Sequence, residues 1–187
     1  MRVPIAAVAA IVIAGCASQP YRDTREGKFS GALDVRWVRN DYFRFIPNRY
    51  DPFTFTRFDG TRIQPGTMYT DGGSIPRFFW GVQGFSPWGY APAYIVHDWL
   101  FRAKQCGYTP DNQYSFSESA DVLAEGLKAI METDQAVRNY FVFDSVYSAV
   151  KSPIAKRLWE RGSCEPRPDA NSLYLTEGEL IMTIRFK

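Results

Sequence analysis

The chain carries one histidine, His97, in the run Tyr94-Ile95-Val96-His97-Asp98-Trp99-Leu100-Phe101. An imidazole next to a carboxylate suits proton transfer, because histidine changes charge close to neutral pH. The run is apolar almost all round, so it reads as a buried helix. A polar pair buried there is costly unless something satisfies it. Neighbours on a helix point about 100° apart, so His97 and Asp98 do not face each other. Tyr94 and Phe101 project between them as an aromatic floor. An orienting carboxylate for His97 must then come from another segment. Asp121, in Ser119-Ala120-Asp121 near the start of the next helix, is the first candidate, and Asp71, in Thr70-Asp71-Gly72-Gly73-Ser74-Ile75-Pro76, is the second. The Gly72-Gly73-Ser74 loop can present N–H groups to an anion or carbonyls to a cation. Each feature also has a plain alternative. A His-Asp pair on a buried helix is often structural, and an aspartate in a glycine loop is usually a turn residue.

The elements that must position these residues fall into two halves. Phe29 to Phe45, Phe53 to Phe58 and Ile63 to Tyr69 have alternating or aromatic character and read as strands, with Asp59-Gly60 as a turn. Residues 71–91, dense in Gly, Pro and aromatics, read as an ordered loop. Its aromatics, Phe78-Phe79-Trp80 and Phe85 to Trp88, read as core, with lipid binding as the alternative. The second half is helical. Tyr94 to Lys104 form a helix entered through Pro92 and ended by Cys106-Gly107. Ser115-Phe116-Ser117-Glu118 fits a capping box, so a helix runs from about Phe116 to Met131. Ala120, Leu123, Ala124, Leu127 and Ile130 recur at helical spacing and should face the core. Gln135 to Lys151 and Ile154 to Glu160 complete three to four helices. Ser172 to Phe186 read as a closing hairpin or edge strand. The fold class is α+β.

The N-terminus carries a different signal. Arg2, the uncharged apolar run Ile5 to Ile13, and then Ile13-Ala14-Gly15-Cys16 have the order of a secretory signal. The apolar run is too short to span a bilayer, which needs ~20 residues. Ile13-Ala14-Gly15-Cys16 resembles the lipobox of bacterial lipoproteins. That resemblance implies removal of residues 1–15, a diacylglyceryl thioether on Cys16 and an acylated amino group. Ala17 is not the aspartate of an inner-membrane retention signal, so an outer-membrane location is expected, facing the periplasm or the cell surface. The alternative is an ordinary signal peptide cut near Ala17. Residues 16–28 then read as a lipidated polar tether and 29–187 as one globular domain.

With Arg2 removed, 21 basic residues face 20 acidic ones, which gives no electrostatic case for nucleic acid. Aromatics reach 16 %, consistent with a small protein whose core uses large side chains. Once Cys16 is lipidated, Cys106 and Cys164 remain as an even pair in an oxidising compartment, and a disulfide is expected. It would stabilise by ~4 kcal/mol in the chain-entropy model. The alternative is two separate buried thiols.

Thr70-Asp71-Gly72-Gly73-Ser74-Ile75-Pro76-Arg77, Tyr90-Ala91-Pro92-Ala93, Val96-His97-Asp98-Trp99-Leu100-Phe101 and Ala120-Asp121 follow one another in an order that resembles domain-of-unknown-function family 1353 of phages and bacteria. The family usually has tyrosine at the place of Phe101 and often a small residue at that of Gly73. The resemblance bears on fold and site location and implies no activity. The His-Asp motif is also similar to that of secreted phospholipase A2. That similarity implies His97 as general base for water, Asp98 and the Gly72-Gly73 loop as Ca²⁺ ligands, and Asp121 as the orienting carboxylate. The cysteines that flank the motif in that enzyme are missing here, and the β-rich half has no counterpart in it.

Two functional expectations follow. One is a membrane-anchored envelope hydrolase acting on a lipid ester or a cell-wall bond, with His97 and Asp121 as catalytic pair and Gly72, Gly73, Ser74, Tyr94 and Phe101 around the substrate. A divalent cation would use oxygens of Asp71, Asp98 and Asp121, which suits calcium. Zinc is disfavoured by the single histidine and the lack of free cysteines. The other is a non-catalytic envelope or phage-related binding protein, in which the same residues only fasten helices. In either case the partners are the membrane, through Cys16, and an envelope lipid, peptidoglycan or protein.

Overall fold

The computed structural model describes residues 17–39, 42–70, 89–133, 138–165 and 178–186. The six strands are β1 (Lys28–Arg39), β2 (Tyr42–Pro47), β3 (Thr54–Thr56), β4 (Arg62–Ile63), β5 (Met68–Thr70) and β6 (Glu179–Phe186). The α-helices among the described residues are α1 (Gln19–Asp23), α2 (Ala91–Cys106), α3 (Phe116–Thr133), α4 (Tyr140–Val150) and α5 (Pro153–Arg161). The fold is α+β, as expected.

The long β1 organises an antiparallel sheet. Lys28–Ser30 pair with β3, while from Leu33 onward β1 is flanked by β2 on one side and β6 on the other. The change of partners falls at Gly31, whose φ of 78° is left-handed. A Cβ at that position would sit 2.2 Å from the Pro52 carbonyl oxygen, so only glycine lets the crossing chain come so close. The Asp59-Gly60 turn forms as its sequence indicates, with the Arg57 N–H bonded to Thr61 O at 2.8 Å and the Thr61 N–H to Asp59 Oδ1 at 2.8 Å.

The helices pack over the sheet through one apolar core. Ala120, Leu123, Ala124 and Leu127 of α3 are buried, and Ile130 is half-buried against them, as the helical spacing requires. The capping box at the start of α3 is present. The Glu118 N–H bonds Ser115 Oγ at 3.2 Å and the Ser115 N–H bonds Glu118 Oε2 at 2.8 Å. α2 runs from Ala91, three residues before the expected start, because Pro92 fits its first turn. Asn139 caps α4, whose Val142 N–H bonds its Oδ1 at 3.1 Å. Ser152 caps α5 ahead of Pro153. Residues 172–177 of the expected closing hairpin lie outside the described residues, and β6 provides its strand.

Within residues 16–28, expected to be a polar tether, Gln19–Asp23 form α1 docked on the domain, and Lys28 already belongs to β1. Ser18 caps the short helix and Tyr21 is 3 % exposed. The Tyr21 ring meets Tyr140 and Phe143 edge-on at 4.8 and 5.0 Å, and its hydroxyl donates to Glu132 Oε1 at 2.6 Å. The Ser18 hydroxyl donates to Asp144 Oδ1 at 2.6 Å, and Lys128 Nζ donates to the Tyr21 and Thr24 carbonyls. A single helical turn shows no periodicity in sequence. Its stability comes from the tertiary contact.

Candidate functional site

The site is built on α2, a helix buried along most of its length that ends at Gly107 in the left-handed conformation. His97 is 4 % exposed, and its ring lies 4.9 Å from that of Phe101, one turn on. Nδ1 of His97 and Oδ1 of Asp98 are 3.9 Å apart. That is too long for a hydrogen bond, but close enough for the carboxylate to act on the imidazole as a charge. Tyr94 precedes His97 by one turn. Its hydroxyl is buried with no hydrogen-bond partner among the described residues. Burial first, and then Tyr90 and Asp98, push the Tyr94 phenol well above its ordinary range, while burial pushes Tyr90 up to about 12. Both phenols therefore keep their protons and can act as donors throughout the physiological range.

The expected floor residue, Phe101, is half-buried and packs edge-on against Trp159 of α5 at 4.9 Å. Trp99 projects away from this face and donates Nε1–H to the buried Asp111 at 2.7 Å. Sequence reasoning left that bond out. A buried indole requires an acceptor, but nothing in the sequence says which of 20 acidic residues supplies it. The Arg57–Glu125 pair was also missed. Arg57 Nε approaches the two Glu125 oxygens at 3.1 and 3.2 Å, and Nη2 approaches Oε1 at 2.6 Å.

Asp121, expected to orient His97, carries a contact to another helix. Its Oδ1 accepts from the Tyr147 hydroxyl at 2.7 Å, and Lys151 Nζ lies 3.2 Å from the same hydroxyl. The carboxylate thus fastens α3 to α4, and no described hydrogen bond joins it to His97. Helical spacing put Asp121 at the rim of the apolar stripe. Which neighbouring helix that rim would meet depended on packing.

Asp71, Gly72, Gly73 and Ser74 lie outside the described residues, as does Cys16. The described ends of the segment 71–88 nonetheless adjoin α2. Arg102 Nη2 bonds the Tyr69 carbonyl at 3.3 Å, and Tyr90 leads directly into the helix. Among the described residues no group of three or more His, Cys, Asp or Glu side chains could hold a metal ion, and the expected calcium set also includes Asp71. Cys106 and Cys164 form a disulfide with Cα atoms 4.8 Å apart, as expected. It ties the end of α2 to the segment after α5, beside an Arg102–Glu165 ion pair.

Among known proteins, the chain matches the family model described as "Protein of unknown function (DUF1353)" over residues 51–146, just over half its length. The match includes α2, with His97 and Asp98, and all of α3. No curated protein matches the chain, and no solved structure does. The chain belongs to the DUF1353 family.

Proposed function

We propose that this DUF1353 protein is a bacterial lipoprotein anchored through Cys16 at the outer membrane, and that the α2 face is a hydrolytic site for a lipid ester or a cell-wall bond. The observation that carries the catalytic part is the buried His97, with the buried Tyr94 hydroxyl one turn before it on α2 and the partly exposed Asp98 carboxylate 3.9 Å from its Nδ1. His97 takes the proton of the attacking water. The Asp98 carboxylate, 3.9 Å from Nδ1, offsets the charge that the ring gains. The Tyr94 hydroxyl, protonated and with no acceptor among the described residues, donates to the substrate oxygen that becomes negative. Calcium, if used, would be held by Asp98 with Asp71.

The test is hydrolysis by the purified full chain of three substrates: a short-chain p-nitrophenyl ester, phospholipid vesicles and isolated peptidoglycan, each with and without chelator. Turnover of one of them that falls about 10²–10⁴-fold in a folded His97→Ala variant supports a general base. No turnover of any, or turnover unchanged by the substitution, sinks the hydrolase.

A second reading is a non-catalytic envelope or phage-related binding protein. The Tyr147–Asp121 hydrogen bond favours it, because it engages the carboxylate expected to orient His97.

A further inference from the structure

Helix α5 is held to the domain mainly through one side chain. Ser152 caps it, and the buried Trp159 packs its ring against Phe101 of α2 at 4.9 Å and Phe116 of α3 at 6.2 Å. At about 100° per residue, Ile154 lies about 140° round the helix from Trp159, and Leu158 about 100°. These two are 65 % and 59 % exposed and one turn apart, so they form a short apolar stripe on the outer side. Arg161 and Arg157 stand about 20° and 60° from Ile154, on the flank away from Trp159. Both are exposed, and among the described residues neither side chain makes an ion pair or a hydrogen bond. The one carboxylate of the helix, Glu160, lies beyond Arg157 and approaches Lys156 at 3.8 Å. Residues 151–161 carry four basic side chains against one acidic, while the whole chain has a net charge of only +2.

We propose that the outer face of α5 docks on an anionic lipid surface, with Ile154 and Leu158 entering the interfacial region and Arg157 and Arg161 meeting the lipid phosphates. A single exposed leucine needs no explanation. Two aliphatic side chains edged by two uncommitted guanidinium groups match a membrane interface, which offers apolar depth beside negative charge at the headgroups. A second copy of the chain fits this face less well. A two-fold contact through the stripe brings the arginines of both copies together, and two aliphatic side chains cover far less than the ~800 Å² per partner of a stable interface. A lipid surface needs no such area and no shape match. Neither lipidation of Cys16 nor chemistry at His97 is required for this contact.

The experiment uses the full chain with Cys16→Ser. Cys106 and Cys164 are bonded to each other, so Leu158→Cys then supplies a single free thiol for an environment-sensitive fluorophore. Ile154→Cys is a second reporter of the stripe, and Tyr50→Cys, at an exposed position between β2 and β3, is the reference. The vesicles are of brominated phosphatidylcholine, alone or with phosphatidylglycerol. The expected result is quenching several-fold stronger at 158 and 154 than at 50, seen only with phosphatidylglycerol and weakened by salt. Arg157→Glu together with Arg161→Glu, both at exposed positions, should lower the binding read by the label at 158 about tenfold or more. Absent quenching, equal quenching at all three positions, or quenching at 158 indifferent to phosphatidylglycerol or to the arginine substitutions overturns the lipid contact. A label at 158 already shielded from aqueous iodide without vesicles overturns it as well. The face then belongs to a second copy where the protein sediments as a dimer, and to the chain itself where it sediments as a monomer.

Discussion

Arg57 with Glu125, and Tyr94 beside His97, are polar groups taken into the interior of one small domain, and the two sets are treated differently. The first is closed. A guanidinium makes a forked contact with a carboxylate that is itself buried on α3, and so joins the end of β3 to the helical layer. The second keeps a buried Tyr94 hydroxyl with no acceptor among the described residues. A buried donor without an acceptor costs stability. A fold selected only for stability would pair it or replace it with phenylalanine. The Arg57–Glu125 pair is a strut, whereas the Tyr94 hydroxyl is the group that the proposed site would use, and substitutions in the two places should have opposite consequences.

Glu125→Ala should have the largest effect. It strands the Arg57 guanidinium in the interior and should cost about 3–5 kcal/mol, read from urea unfolding. A loss below ~1 kcal/mol would mean that the pair is no strut. Replacing Cys106 and Cys164 together by serine should cost ~2–4 kcal/mol, since the bond closes a long loop. The check is whether reductant produces the same loss in wild type and none in the double variant. Because the disulfide lies at the far end of α2 from Tyr94, any turnover should survive it at temperatures where the variant is folded.

Glu118→Gln should have a smaller effect, with a pH signature. The Ser115 hydroxyl, and then its N–H, hold the Glu118 carboxyl below its ordinary range. A lowered folded value means that the stabilisation is complete above the unfolded value of ~4.3 and fades as pH falls through the lower folded one. The variant should lose about 0.3–1 kcal/mol at pH 7, less in high salt, and match wild type in acid below the folded value. A pH-independent difference would assign the cap to geometry alone. Tyr94→Phe should change stability least, staying within about 0.5 kcal/mol of wild type or rising slightly, because it removes an unpaired group. Any turnover or ligand affinity should nevertheless fall at least tenfold. A clear loss of stability would show that the hydroxyl is a strut after all.

Local signals in the chain were strong enough to be read directly. The capping box at Ser115, the stripe from Ala120 to Ile130, Pro92 in the first turn of α2 and Asp59-Gly60 depend on neighbours within four residues, and each appears where the pattern puts it. The Cys106–Cys164 pair was legible for a different reason: once Cys16 is set aside, two cysteines allow only one pairing. Family membership was legible in the ordered segments from Thr70 to Asp121. The candidate site was half legible. The His97-Asp98 pair and the aromatic residues beside it share one helix, so spacing alone describes them.

Contacts between distant segments were not legible. Tyr147 takes Asp121, Asp111 takes Trp99, Glu125 takes Arg57 and Asp144 takes Ser18, and these partners are between 12 and 126 residues apart. A carboxylate looks the same in sequence whichever donor it will meet, and the choice is made by how helices and sheet pack. The docking of α1 is a case of the same kind. Composition makes residues 16–28 look like solvated linker, and one buried tyrosine, held by α3 and α4, turns Gln19–Asp23 into part of the domain. By itself the sequence determined the class of fold, the helix boundaries to within a few residues and the crosslink. The tertiary structure alone decided which polar groups are paired with which, because burial and partner choice depend on surfaces that exist only once distant segments have packed.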